Sequence, residues 1–157
     1  MPSVSETRVR ALNDQSINSE GQFVLYWMNA SRRLQDNYAL DRAIQWAQRL
    51  KAPLVIFEPL RLRYHWACDR FHRFVLQGMI DNATYASQSR TSGVLYYPYM
   101  ETEVGAVESL FAQLVHRSKV VITDDYPCFF LPTVIQAAAK RFAVLFEAID
   151  SNGIIPM

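Results

Sequence analysis

Phe23-Val24-Leu25-Tyr26-Trp27-Met28 is an unbroken, β-prone apolar run of six residues in a chain of 157. A run with no polar alternation reads as a strand buried on both faces, the signature of a parallel sheet covered by helices. On its C-terminal side Asp36 is placed to cap a helix. Leu40, Ala43, Ile44, Ala47 and Leu50 supply one apolar face of that helix. The alternation then repeats. Pro53-Leu54-Val55-Ile56-Phe57 is a second strand, stopped by Pro59, and a long helix from Asp69 carries Phe71, Phe74, Val75, Gly78, Met79 and Asn82 on its stripe. Val94 to Tyr97, Val120 to Thr123 and Val144 to Ile149 are three further strands. Stripes at Val107 to Val115 and Leu131 to Ala138 mark the helices between them.

Five short apolar strands alternating with four amphipathic helices define an α/β fold. Right-handed crossovers make it a doubly wound five-stranded parallel sheet with helices on both faces, Rossmann-like in layout. On the N-terminal side of the first strand, residues 1–22 read as a polar, mobile lead with one short turn around Arg8 to Leu12. Residues 23–157 form the domain proper.

Composition removes several function classes. Sixteen basic and fifteen acidic side chains leave a net charge of +1, which disfavours a basic nucleic-acid groove. The five glycines never fall closer together than 12 residues, so neither GxGxxG nor a Walker A loop is present. Cys68 and Cys128 are 60 residues apart. They read as two buried thiols of a reducing, cytoplasmic compartment. No apolar run approaches a membrane span, and MPSVSETRVR lacks the apolar core of a signal peptide. His65, His72 and His116 show no metal-ligand spacing, and no nucleophile sits in a GxSxG or CxxC setting. Trp27, Trp46 and Trp66 are expected to pack.

In a doubly wound sheet, ligands bind beyond the carboxyl ends of the strands. That rule selects Met28, Asn29, Ser31, Arg32, Arg33, Asp36 and Asn37 after the first strand, Glu58 after the second, and Asp124 and Asp125 after the fourth. Carboxylates, amides and arginines on one rim suit a polar heterocycle or an anion. Phe71 and Phe74 could wall such a site, although their place on the apolar stripe favours the core.

Tyr26-Trp27-Met28-Asn29-Ala30-Ser31-Arg32-Arg33-Leu34-Gln35-Asp36-Asn37-Tyr38-Ala39-Leu40 resembles the first strand, loop and helix start of the photolyase/cryptochrome family, specifically of class II cyclobutane pyrimidine dimer photolyases. Arg33, Asp36, Asn37, Ala39 and Leu40 sit at matching offsets. Thr7 to Leu12 is similar to the family's Arg-Val-Arg lead, Arg70 to Met79 to its second helix, Val121 to Asp124 to its strand ending Thr-Asp, and Asp150 to Pro156 to its closing segment. Departures fall on the rim. Asn29-Ala30-Ser31-Arg32 stands where the family has Ser-Arg-Asp-Gln, Pro127-Cys128-Phe129 where it has Pro-Leu-Arg, and Ser151-Asn152-Gly153 where it has a His-Asn pair.

The resemblance implies an N-terminal domain that holds an antenna chromophore (a deazaflavin, folate or flavin) or scaffolds a C-terminal helical domain. That second domain, outside this chain, would bind FAD, grip DNA and carry the light-driven repair chemistry. The resemblance also implies that Asp36 caps the helix and that Arg33 pairs with loop carboxylates. A stand-alone nucleotide-binding α/β protein and an interaction module remain alternative readings. Exposed apolar residues among Tyr64, Trp66, Phe129 and Phe130 would favour the last.

Overall fold

The computed structural model describes residues 4–65, 67–89, 92–153 and 155–156; Trp66, expected to pack, and Ile154, part of the closing segment, lie outside them. The described elements run β1 (Val9–Ala11), β2 (Phe23–Trp27), α1 (Tyr38–Leu50), β3 (Leu54–Leu60), α2 (Asp69–Gln88), β4 (Val94–Met100), α3 (Ala106–His116), β5 (Ser118–Asp124), α4 (Leu131–Arg141) and β6 (Phe146–Ile149). They build a six-stranded sheet in the order β1-β6-β5-β2-β3-β4. The five expected strands are all parallel, and β1 adds a sixth, antiparallel to β6 through Val9↔Ile149, Arg10↔Ala148 and Ala11↔Glu147.

From residue 4 onward the polar lead is therefore packed against the sheet, not mobile. Val4 and Arg8 are buried, and the Asp150 N–H donates to the Arg8 carbonyl at 2.9 Å. Asn13 Nδ2 donates to the carbonyls of Ala139 and Val144, tying the lead to the end of α4.

Alternate residues of the buried strands divide between two cores. Val24, Tyr26, Leu54, Ile56, Val120 and Ile122 face α1, while Leu25, Trp27, Val55, Phe57, Val121 and Phe146 face α3 and α4. α2 joins the α1 side through Val75 and Met79 against Leu60. An ion pair locks α1 to β6, with Arg42 Nε and Nη2 donating to both oxygens of Glu147 at 2.8 and 3.0 Å. Trp46 Nε1 also donates to that carboxylate at 2.8 Å, so a buried acid is fully engaged.

Both strand prolines obey the ladder. The Leu54 N–H bonds the Gly93 carbonyl and the Glu101 N–H bonds the Leu60 carbonyl. With the Leu54↔Val94 register, this turns the odd-numbered β4 residues to β3 and the even-numbered ones to the free edge. Pro98 thus removes an N–H only from that edge, which blunts strand addition. Pro59 lies inside β3 instead of stopping it, because the neighbouring β2 has ended at Trp27↔Phe57 and no ladder bond is lost.

Three further expectations are corrected. Asn37, not Asp36, caps α1: its Oδ1 accepts the Leu40 N–H at 3.1 Å, while Asp36 takes a left-handed φ of 47°. Phe71 and Phe74 are 45% and 73% exposed, because only Val75, Met79 and Asn82 of α2 reach the sheet. Cys68 and Cys128 are exposed free thiols. No helix among the described residues is long and apolar enough to cross a membrane.

Gly21 enters β2 under β5 so closely that a Cβ would lie 2.5 Å from backbone atoms of Ser118 and Lys119. Gly21→Ala is expected to cost about 1–3 kcal/mol in urea unfolding, the price of overpacking against an immobile backbone. Unchanged stability would show that the two strands separate freely there.

Candidate functional site at the switch in strand order

From β2 the chain runs to β3 and β4 on one side and returns to β5 and β6 on the other, so the direction of winding switches between β2 and β5. Side chains cannot cover the cleft that opens beyond such a switch point. The segments after β2, β5 and β6 meet there.

Asp124, at the end of β5, organises this region. Its buried carboxylate accepts the Tyr26 hydroxyl at 2.8 Å and the N–H groups of Asn29, Ala30 and Ser31 at 2.8, 2.8 and 3.2 Å. Burial pushes the Asp124 carboxyl above its ordinary value, against the lowering pull of these donors. Burial, reinforced by the Asp124 carboxylate, also holds the Tyr26 hydroxyl well above its usual pKa, so it stays a donor. Asn37 Nδ2 completes the knot, 2.9 Å from Tyr26 Oη and from the carbonyls of Ser31 and Arg33. The next two amides turn inward as well, Arg32 N–H to the Ala30 carbonyl and Arg33 N–H to the Ser31 carbonyl. Every backbone donor from residue 29 to 33 is thus consumed, three by Asp124 of β5 and two within the loop.

A second network carries Arg32. Its guanidinium meets Glu58 Oε1 at 3.0 Å and the Pro59 carbonyl at 2.6 Å. Glu58 is buried and also accepts Asn82 Nδ2 and the Tyr96 hydroxyl. Burial together with that bond pushes the tyrosine's pKa far up. Among the described residues Arg33 pairs with no carboxylate; its Nε and Nη2 donate to the Asp36 carbonyl at 3.1 and 3.0 Å. Asp125 points the other way, into a two-bond pair with Arg10 at 2.8 and 2.9 Å.

Two cavities flank Arg32. A cleft of about 700 Å³ lies on the α3 and α4 side, with aromatic walls that include Trp27, Tyr64, Phe71, Phe111, Phe129 and Phe130 and with Asn29, Arg32, Arg61, His65, Glu108 and Arg141 as its polar lining. Trp27 and Phe111 rings lie 4.1 Å apart. Trp27 Nε1 and Tyr64 Oη are buried without a hydrogen-bond partner. A smaller pocket of about 270 Å³ is lined by Ser31, Arg32, Arg33, Tyr126, Ser151 and Asn152.

Of the residues selected from sequence, Asn29, Ser31, Arg32 and Arg33 line these cavities. Met28, Asn37, Glu58 and Asp124 are buried beneath them, Asp36 supports Arg33, and Asp125 fastens the lead. Of the cleft's aromatic walls, Phe71 was expected as one; Trp27 ends β2, Tyr64 lies in the loop after β3, and Phe111, Phe129 and Phe130 come from α3 and the loop before α4. The adjacent Phe129-Phe130, with Phe129 at φ 59° and 76% exposed, is the one local signal of them.

The fold and these cavities define a Rossmann-like α/β domain with a ligand-sized cleft at the strand carboxyl ends. The chain is a distant homologue of a photolyase. It is 28% identical over 150 residues to the deoxyribodipyrimidine photo-lyase of Methanothermobacter thermautotrophicus, covering 96% of this chain but 32% of that protein. This chain therefore spans about a third of its relative's length. No protein-family model matches it. Among solved structures, the universal stress protein UspA from Lactobacillus plantarum is similar at a TM-score of 0.43 and 14% identity, over 71% of this chain and 81% of that one, too loose a likeness to carry an argument.

The two neighbouring aspartates should separate cleanly on mutation. Asp124→Ala strands the Tyr26 hydroxyl and three loop amides and is expected to cost about 3 kcal/mol or more in denaturant unfolding. Asp125→Ala removes a half-exposed ion pair and is expected to cost at most about 1 kcal/mol. Equal losses would contradict the clamp.

Proposed function

We propose that this chain is the α/β portion of a photolyase-related protein, and that its aromatic cleft holds a planar light-absorbing heterocycle of the deazaflavin, folate or flavin class. The observation that carries the proposal is the 28% identity to a deoxyribodipyrimidine photo-lyase over nearly the whole chain. On this reading the chain collects light or provides a scaffold. Dimer splitting and DNA binding belong to an FAD-bearing helical domain of a longer protein.

The chemistry of the cleft supports this role. The aromatic walls offer stacking surface to a flat ring, and stacked aromatic pairs add about 0.5–1.5 kcal/mol beyond their buried area. Trp27 Nε1 is a donor with no acceptor in a residue only 7% exposed, so it suits a ring carbonyl or ring nitrogen. Its desolvation is already paid, which makes a ligand acceptor there more valuable than one at the surface. The exposed Phe74 and Ile80 on α2 and Leu95 on β4 support a docking role towards a second domain.

Titration with riboflavin, a deazaflavin and a folate tests the proposal. At least one is expected to bind with a shifted absorption band. At a hundredfold excess over Kd it should stabilise the chain by about 2.7 kcal/mol. Trp27→Phe is expected to weaken that ligand roughly fivefold, the loss of one buried hydrogen bond. A chain that gains neither a band nor stability from any of the three would overturn the proposal.

A further inference from the structure

We infer that the smaller pocket at the switch point binds an oxyanion of the phosphate-monoester class, and does so through side chains alone. Its position is the one where doubly wound folds usually present backbone N–H groups to phosphate. In this chain those groups are spent: Asn29, Ala30 and Ser31 on Asp124, Arg32 and Arg33 on carbonyls two residues back. The pocket is lined instead by two guanidinium-bearing residues, three hydroxyl-bearing ones and Asn152, with no carboxylate in the lining. The Asn152 amide is already spent on the Asp125 carbonyl and Asp150 Oδ1, so the arginines and hydroxyls are what is left for a ligand.

Two of these side chains are poised for a missing partner. Arg32 is neutralised by Glu58, but Arg33 makes no ion pair among the described residues; the Asp36 carbonyl fixes its Nε and Nη2 and leaves Nη1 uncommitted. Ser151 Oγ is buried without a hydrogen-bond partner among the described residues, a costly state for a hydroxyl unless a ligand satisfies it. A fixed, uncompensated guanidinium beside a waiting hydroxyl repels cations and gives nothing to an apolar group. It supplies charge-assisted donors to an oxyanion.

The anion has two chemical sources. It is either free phosphate or the phosphorylated tail of a ligand whose ring occupies the aromatic cleft, since Arg32 lines both cavities. Only the second source rests on the chromophore reading.

The test uses the whole chain in two arms. In the first, thermal unfolding is followed with inorganic phosphate against chloride at matched ionic strength. In the second, the Kd of FMN is compared with that of riboflavin, which differs only in lacking the phosphate. Phosphate-dependent stabilisation identifies free phosphate as a ligand. FMN binding roughly tenfold tighter than riboflavin identifies the tail. Either effect should fall about tenfold in Arg33→Gln and in Ser151→Ala. Ser151→Ala has the further signature that the ligand-free chain unfolds no lower than wild type, because the deleted hydroxyl bonds nothing. The proposal is overturned if phosphate does no more than chloride and FMN binds no better than riboflavin. It is equally overturned if both variants respond as wild type does. Failure of every ring to bind would defeat the chromophore reading while leaving the phosphate arm to decide this one.

Discussion

One buried carboxylate governs the mouth of this fold. Asp124 ends the strand beside β2 and draws four donors onto itself, three of them successive backbone amides. An ionisable group placed there costs desolvation energy, and it persists only because its lone pairs are filled. The outcome is a loop after β2 whose path is set by a side chain from another strand. Tyr26 and Asn37 extend the same knot into the start of α1, so strand, loop and helix are fixed together.

The consequence for binding is chemical. A loop that spends its amides internally cannot cradle phosphate with its backbone, in agreement with the scarcity of glycine. Recognition passes to side chains, and these segregate into two environments. On the α3 and α4 side the walls are mostly aromatic and apolar, with Arg32, Arg61, Arg141 and Glu108 among them, while above the loop the lining is hydroxyl- and guanidinium-bearing residues with no aromatic wall but Tyr126. Arg32, anchored by Glu58 and the Pro59 carbonyl, is the partition between them. The departures from the photolyase pattern at Asn29 to Arg32 and at Ser151 and Asn152 fall in these linings.

The sheet was legible because β2, β3, β5 and β6 are buried on both faces and so appear as unbroken apolar runs; β4 shows the same kind of run although, as the edge strand, it is partly exposed. β1 was not: Val9-Arg10-Ala11 is too short and too polar for any pattern, and only its pairing with β6 makes it a strand. The α1 cap was misassigned by one residue. Asp36 and Asn37 are both cap formers, and the choice is made by the left-handed turn at Asp36 and the pull of Tyr26 on Asn37. The α2 stripe misled for another reason, since a 20-residue helix over the sheet's edge outruns the surface available to cover it. At the site, position after a strand was enough to find Asn29, Ser31, Arg32 and Arg33. It could not separate residues that face a cavity from those, such as Asp124 and Glu58, that hold the loop from below.

Amide hydrogen exchange in the ligand-free chain tests the clamp most directly. The account predicts that the N–H groups of Asn29, Ala30 and Ser31 exchange as slowly as those of the β2 core, despite lying in a loop. Exchange at the rate of an open surface loop would contradict it, returning those three amides to the cleft as donors for a ligand.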